Sequence, residues 1–216
     1  MKLPVAVMLA ATLVLTACGH DGGNDFPPVF TTQILSDATF DGDIAQDPVL
    51  ATMLTVTQAI FTQNVFAGID PVSSVEYRGF LDFPLAGPGG VPLNAGIFSA
   101  SLDIFIDDIQ PTAGTIPIRI DLVSFQPPDL IGTDFDLTQQ PALATITFPI
   151  FQTDFNQHVV VDVTSLMKEA QRQGLPDFQV RIMEDLGPVI PGLIVIDDTT
   201  TRDRELLAPL LEVRYF

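Results

Sequence analysis

The chain has 216 residues, 47% of them hydrophobic and 17% charged, with 27 acidic side chains against nine basic ones and a net charge of −18. That balance excludes nucleic-acid binding, because no basic run exists to neutralise phosphates; the apolar content excludes disorder, which pairs high charge with few hydrophobes. Eighteen prolines, 15 glycines and no tryptophan predict a β-rich domain with many punctuated loops, its acidic excess keeping the surface soluble.

The chain opens with Lys2 as a minimal positive region and an apolar run from Leu3 to Leu15 that ends in small residues. This is the layout of a secretory signal peptide, and the run is shorter than the roughly 20 residues a membrane-spanning helix needs. Leu15-Thr16-Ala17-Cys18 resembles the lipobox of bacterial lipoproteins. The resemblance implies a leader over residues 1–17 that is removed on export, and Cys18 as the acylated first residue of the mature chain. Acylation anchors the protein at the cell envelope through its buried methylenes. Gly19 stands where an aspartate would resemble the inner-membrane retention signal, so the outer membrane is the expected address in a Gram-negative cell. Cys18 is the single cysteine, so no disulfide can form within the chain.

Residues 18–39 read as a lipidated tether, polar and rich in Gly and Pro along GHDGGNDFPPVF. Residues 40–216 read as one domain, long enough to enclose one core.

Along that domain, short apolar runs alternate with turn clusters. In IFSASLDIFI (97–106), Ala100, Leu102, Ile104 and Ile106 share one face while Ser99, Ser101 and Asp103 share the other. In IPIRIDLVSF (116–125), Ile116, Ile118, Ile120 and Leu122 alternate with Arg119, Asp121 and Val123. Period two predicts two half-buried strands, and the intervening DDIQPTAGT reads as a hairpin loop pairing them. Further strands are expected at 58–66, 76–83, 144–150, 158–163, 178–182, 193–197 and 210–216. One helix is expected near residues 164–173. Thr164 or Asp162 caps it, Leu166, Met167 and Ala170 form its apolar stripe, and Gly174 ends it. The fold class is all-β, a jelly-roll-like antiparallel β-sandwich with that one short helix.

The order of elements also carries a resemblance. An Arg-x-Phe-Leu-x-Phe strand (Arg78, Phe80, Leu81, Phe83) precedes SASLDIFI; later come Val161-Asp162-Val163-Thr164 opening a helix, then Phe-x-Val-Arg-Ile, and a terminal PLLEVRYF. This is similar to the DNRLRE-type β-sandwich domains of secreted and surface bacterial proteins, over roughly residues 40 to 216. It implies a jelly roll like that of carbohydrate-binding modules, some of which are linked to acidic polysaccharide. The absence of tryptophan and the Pro-rich stretch 126–142 depart from the pattern, and the acidic surface would repel an acidic glycan.

Candidate site residues follow. Asp41 and Asp43, with Asp47 nearby, precede the first expected strand, and Asp197 and Asp198 stand beside Thr199–Thr201. In jelly-roll binding modules the N- and C-terminal segments often meet around calcium, which takes six to eight oxygen ligands. These four aspartates are therefore candidate calcium ligands; Asx turns and solvated loops are the alternative. Arg78 either holds a ligand carboxylate or sugar hydroxyl or pairs with a neighbouring carboxylate such as Asp82. Asp162 fits a helix cap, accepting free N–H groups at the positive end of the dipole.

Histidine is limited to His20, in the tether, and His158. A zinc site of several nitrogen or sulfur ligands is thus excluded, and no serine lies in a nucleophile-elbow sequence. Carboxylate pairs for glycoside hydrolysis have no specificity among 27 acidic residues. The expected protein is a non-catalytic, lipid-anchored module that binds a glycan or surface polymer. The alternative is a structural or protein-interaction lipoprotein of the envelope.

Overall fold

A computed structural model describes residues 27–216 apart from 51, 59–62, 112–113, 126–128, 186 and 188–189. Twelve strands run through the described residues: β1 (Phe30–Leu35), β2 (Gly42–Gln46), β3 (Leu54–Gln58), β4 (Asn64–Ile69), β5 (Glu76–Pro84), β6 (Ile97–Gln110), β7 (Thr115–Val123), β8 (Ala144–Phe151), β9 (Gln157–Asp162), β10 (Asp177–Glu184), β11 (Leu193–Asp197) and β12 (Leu210–Tyr215). Two helices accompany them, α1 (Thr164–Gln173) and the single turn α2 (Arg204–Leu207).

All pairings are antiparallel, and the hydrogen-bonded path runs β1-β12-β6-β11-β4-β5-β10-β7-β8, with β2 and β3 continuing from the other edge of β5 and β9 from that of β6. Where the path passes from β4 to β5 the pairing is only Gly68↔Tyr77 and Ile69↔Glu76. There it curls into two layers. One is β3-β2-β5-β10-β7-β8; the other is built on β6, which carries β12 and β11 along one edge and β9 along the other. The protein is an all-β antiparallel sandwich.

Alternation explains which side chains enclose the core. Leu81 and Phe83 of β5, Phe178, Val180 and Ile182 of β10, and Ile116, Ile118, Ile120 and Leu122 of β7 face Leu102, Ile104 and Ile106 of β6 and Ile194 and Ile196 of β11 in one buried cluster. Gly68 is the close-approach point between β4 and β11, with φ +117; a Cβ there would come within 2.1 Å of the Gly192 carbonyl oxygen, a conformation and a space open to glycine.

The helix is where the sequence puts it. Leu166, Met167 and Ala170 are buried and Gly174 closes α1 in the left-handed region at φ 66. The Asp162 carboxylate accepts the Thr164 N–H (2.9 Å), satisfying one of the donors a helix start leaves free.

Three expectations are corrected. The strand expected at 58–66 is the end of β3 and the beginning of β4, with 59–62 outside the described residues. β1 falls inside the segment read as tether, because its partner β12 lies at the far end of the chain (Phe30↔Tyr215, Leu35↔Leu210) and no local pattern announces it. β6 and β7 are not a hairpin. Each presents a row of Ile and Leu to the same core, so the two stack across the layers: β6 pairs with β12, β11 and β9, and β7 with β10 and β8. The chain therefore passes from one layer to the other between Gln110 and Thr115.

Candidate functional site

The outer face of the β5-β10-β7 layer is polar but not wet. Opposite the core-facing Ile and Leu, strand alternation places Arg119 and Asp121 on β7, Gln179 and Arg181 on β10, and Arg78 and Asp82 on β5. All but Arg119 are buried. Asp82 meets Asp41 through its N–H and Gln179 through its carboxylate, whereas Arg78 and Arg181 lie beneath residues of the segment 124–143, which contains the Pro-rich stretch 126–142. Its described part folds back over the sheet and buries Phe125, Leu130 and Phe135 against Ile44, Phe80 and Val123 in a second, smaller cluster.

Two arginines fasten this strap. Arg181, fully buried, donates through Nη1 to the carbonyls of Asp134 (3.1 Å) and Gln140 (3.0 Å) and through Nη2 to Asp121 Oδ2 (2.8 Å). Asp121 also accepts from Arg119 Nε (2.7 Å) and the Thr145 hydroxyl (2.7 Å). Burial works to raise the Asp121 carboxyl, but these three donors and the Arg181 charge outweigh it and hold it below its ordinary value. Arg78 donates to the Phe135 carbonyl, and its guanidinium lies 3.9 Å from the centroid of the Phe135 ring. Its anionic partner is Glu76 (2.6 Å), two residues along the same strand face. Asp82 is four residues along, roughly 13 Å at strand rise, and instead accepts from Gln179 Nε2 (2.7 Å).

Between the strap and the β2–β3 hairpin lies an open cleft of about 640 Å³. Arg78 forms its floor, Thr133, Phe135 and Gln139 line the strap side, and Gln46, Thr52 and Leu54 the hairpin side. Asp136 stands at the rim, its carboxyl lowered to about 2 by hydrogen bonds from Thr138 and Gln139. Amides, hydroxyls and a guanidinium beside short apolar walls make a surface able to hold a hydroxyl-rich ligand by hydrogen bonds.

The four aspartates named as candidate calcium ligands do not form one site. Asp41 and Asp198 meet, from the β1–β2 turn and the segment after β11. Asp41 Oδ1 accepts the Asp82 N–H (2.7 Å), and Asp198 Oδ1 accepts from Arg204 Nη1 (3.1 Å) and Ser36 Oγ (3.4 Å). Their outer oxygens, Asp41 Oδ2 and Asp198 Oδ2, are buried without other partners. Burial above all, then the Asp198 charge, raises the Asp41 carboxyl well above its ordinary value. Burial raises Asp198 to about 6 against the pull of Arg204.

Asp43 lies within β2 and faces the Phe66 N–H (3.5 Å), and Asp197 accepts the Thr199 N–H (2.7 Å). Among the described residues no group of three or more His, Cys, Asp or Glu side chains is placed to hold a metal ion. Two carboxyls with a guanidinium already on one of them do not fit calcium's demand for six or more oxygens.

His158 pairs its Nδ1 with Asp103 Oδ1 (3.0 Å) on an exposed sheet face, edge-on to Phe105. Cys18 and His20 lie outside the described residues. No helix among the described residues is long and apolar enough to cross a membrane.

No known protein family matches this chain, and no curated protein is similar to it. Among solved structures, that of infectious bursal disease virus Gx strain aligns with 92% of this chain at 13% identity and a TM-score of 0.14, a likeness that carries no argument. The chain spans 40% of the length of that viral chain.

Of the residues that line the cleft, Arg78 alone stands out in the sequence, and the polar face beside it is only half visible. Gln179 and Arg181, alternating with Phe178, Val180 and Ile182, mark an outward polar face. That a later loop buries this face is a long-range event with no local signal.

Proposed function

We propose that the protein is a lipid-anchored, extracytoplasmic, non-catalytic module of the DNRLRE-like kind that holds a glycan in the cleft above Arg78. The observation that carries this is the lining: a buried guanidinium on the floor, with amides and hydroxyls on both walls. Charge narrows the ligand. Arg78 is already neutralised by Glu76 at 2.6 Å, and Asp136 at the rim is a carboxylate, so the cleft favours neutral or amino sugars over acidic polymers.

A glycan array probed with the exported chain tests the reading. Neutral or amino-sugar glycans should be retained, and Gln139→Ala together with Thr133→Val should cut retention at least tenfold, with or without calcium. No retention above background removes the proposal. The anchor is tested separately: mass spectrometry should find an acylated Cys18 at the mature N-terminus, and Cys18→Ser should move the protein from membrane to soluble fractions.

A further inference from the structure

Described residues of five connections gather at one end of the sandwich. Gln46 pairs with both Leu54 and Glu76, which sets the described residues between Gln46 and Leu54 beside the 70–75 turn. The Ile69 N–H donates to the Gly192 carbonyl (2.7 Å), adding residues 190–192. Ile190 and Pro191 line one hollow with Pro111 and Gly114. Gln152 Nε2 donates to the Pro111 carbonyl (2.8 Å), adding the 151–156 turn.

These neighbouring tips display apolar side chains to solvent. Val49, Leu50, Met53, Val72, Phe155 and Ile190 are all exposed, with Val72 at 90%, Val49 at 86% and Ile190 at 81% of their surface. Single exposed apolar residues need no explanation; a run of them on adjacent loops marks an interaction surface. Asp47, Asp70, Asp154 and Asp185 stand among them, and the five segments contain neither lysine nor arginine.

We propose that this end of the sandwich docks a protein segment that presents basic and apolar side chains together. Charge decides the occupant. Carboxylates placed between apolar tips attract Lys and Arg and repel anionic headgroups, and a second copy of the same acidic end would repel the first. Position agrees. Phe30 pairs with Tyr215, which pairs with Ile97 at the start of β6, whereas the apolar tips lie beyond Gln110 at its other end. At about 3.3 Å per residue the 14 residues of β6 separate the two ends by roughly 45 Å. A chain anchored at Cys18 thus enters the domain at the end away from these loops, which face outward to a partner.

The test is binding of a short amphipathic Leu/Lys peptide to the full exported chain, by calorimetry at two salt concentrations. A Leu/Glu peptide of the same pattern and phosphatidylcholine vesicles serve as comparison probes. Val72→Ser with Ile190→Ser should weaken Leu/Lys binding at least tenfold, and Asp185→Asn several-fold. Leu93→Ser, an exposed change at the opposite end, should leave it unchanged, with melting curves showing all variants folded. Equal binding to wild type and V72S/I190S, absent binding, or a preference for the vesicles overturns the proposal. The cleft reading is tested with glycans, so either result stands without the other.

Discussion

Asp41 and Asp198 each keep one buried oxygen without a partner, and the Asp198 charge adds to burial in raising the Asp41 carboxyl. A single proton between them satisfies both oxygens at once, while Arg204 balances the remaining charge. Asparagine at 41 imitates the protonated acid: its Oδ1 can still accept the Asp82 N–H, and its amide can donate to Asp198. Asp41→Asn should therefore fold as well as wild type at pH 5 and lose roughly 1–3 kcal/mol less stability between pH 5 and 8. Asp198→Asn, which removes the negative charge that Arg204 pairs with, should be weaker at both pH values. Paired thermal melts decide this, and an unchanged pH dependence in D41N would exclude the shared proton. A second residue-scale contrast lies under the strap. Asp121→Ala leaves Arg181 charged, buried and uncompensated, a cost of about 3–5 kcal/mol; Arg119→Ala removes a partly exposed partner and should cost about 1 kcal/mol or less. Urea titrations of the two variants should separate them by at least 2 kcal/mol.

At the scale of elements, the strap over the β5-β10-β7 face is held by a small cluster and two arginines rather than by strand pairing. Phe135→Ala removes both the ring packed in that cluster and the face on which Arg78 rests, costing about 3 kcal/mol by analogy with other buried Phe→Ala changes. Hydrogen exchange should then rise across 129–142 while β6, β7 and β10 stay protected; uniform loss of protection would mean that the strap and sandwich are one cooperative unit. The same elements show where the sequence was legible. β6, β7 and β10 alternate strictly because one face of each meets the core, and α1 carries its stripe, cap and closing glycine locally, so each could be read from its own residues. β1 and β2 could not: FTTQIL and GDIAQ have few apolar positions and owe their strand form to β12 and β5. The partners of β6 and β7 are hidden for a related reason, since alternation reveals which face is buried and says nothing of which strand lies alongside. The cleft was legible only as far as Arg78. Its walls come from a loop and a hairpin far apart in sequence, and no residue pattern encodes that meeting.

For the whole molecule, the buried acids set the direction of its pH response. Burial raises Asp43 and Glu184 to about 7 and Asp82 and Asp198 to about 6, so the folded protein holds protons that the unfolded chain has already released. The stability these groups contribute is fully present below pH ~4, the ordinary carboxyl range, and is lost as pH rises through about 6 to 7. A second set works in the opposite sense. Asp121, Asp162 and Glu169 are held below their ordinary values by donors, so their contribution is lost as pH falls below about 4. Between the two windows, near pH 4 to 4.5, neither loss has advanced far, and the repulsion implied by a net charge of −18 at pH 7 is also smaller there. The melting temperature should therefore peak in acid solution and fall by at least about 5 °C by pH 8, since even one buried carboxyl shifted by two units or more is worth about 3 kcal/mol and each kcal/mol moves a domain of this size by about 2–4 °C. Added salt should recover the part of that fall due to surface repulsion, which is screened, and leave the part due to buried carboxyls. A melting curve flat from pH 5 to 8 at low salt would mean that those acids relax toward water when they ionise.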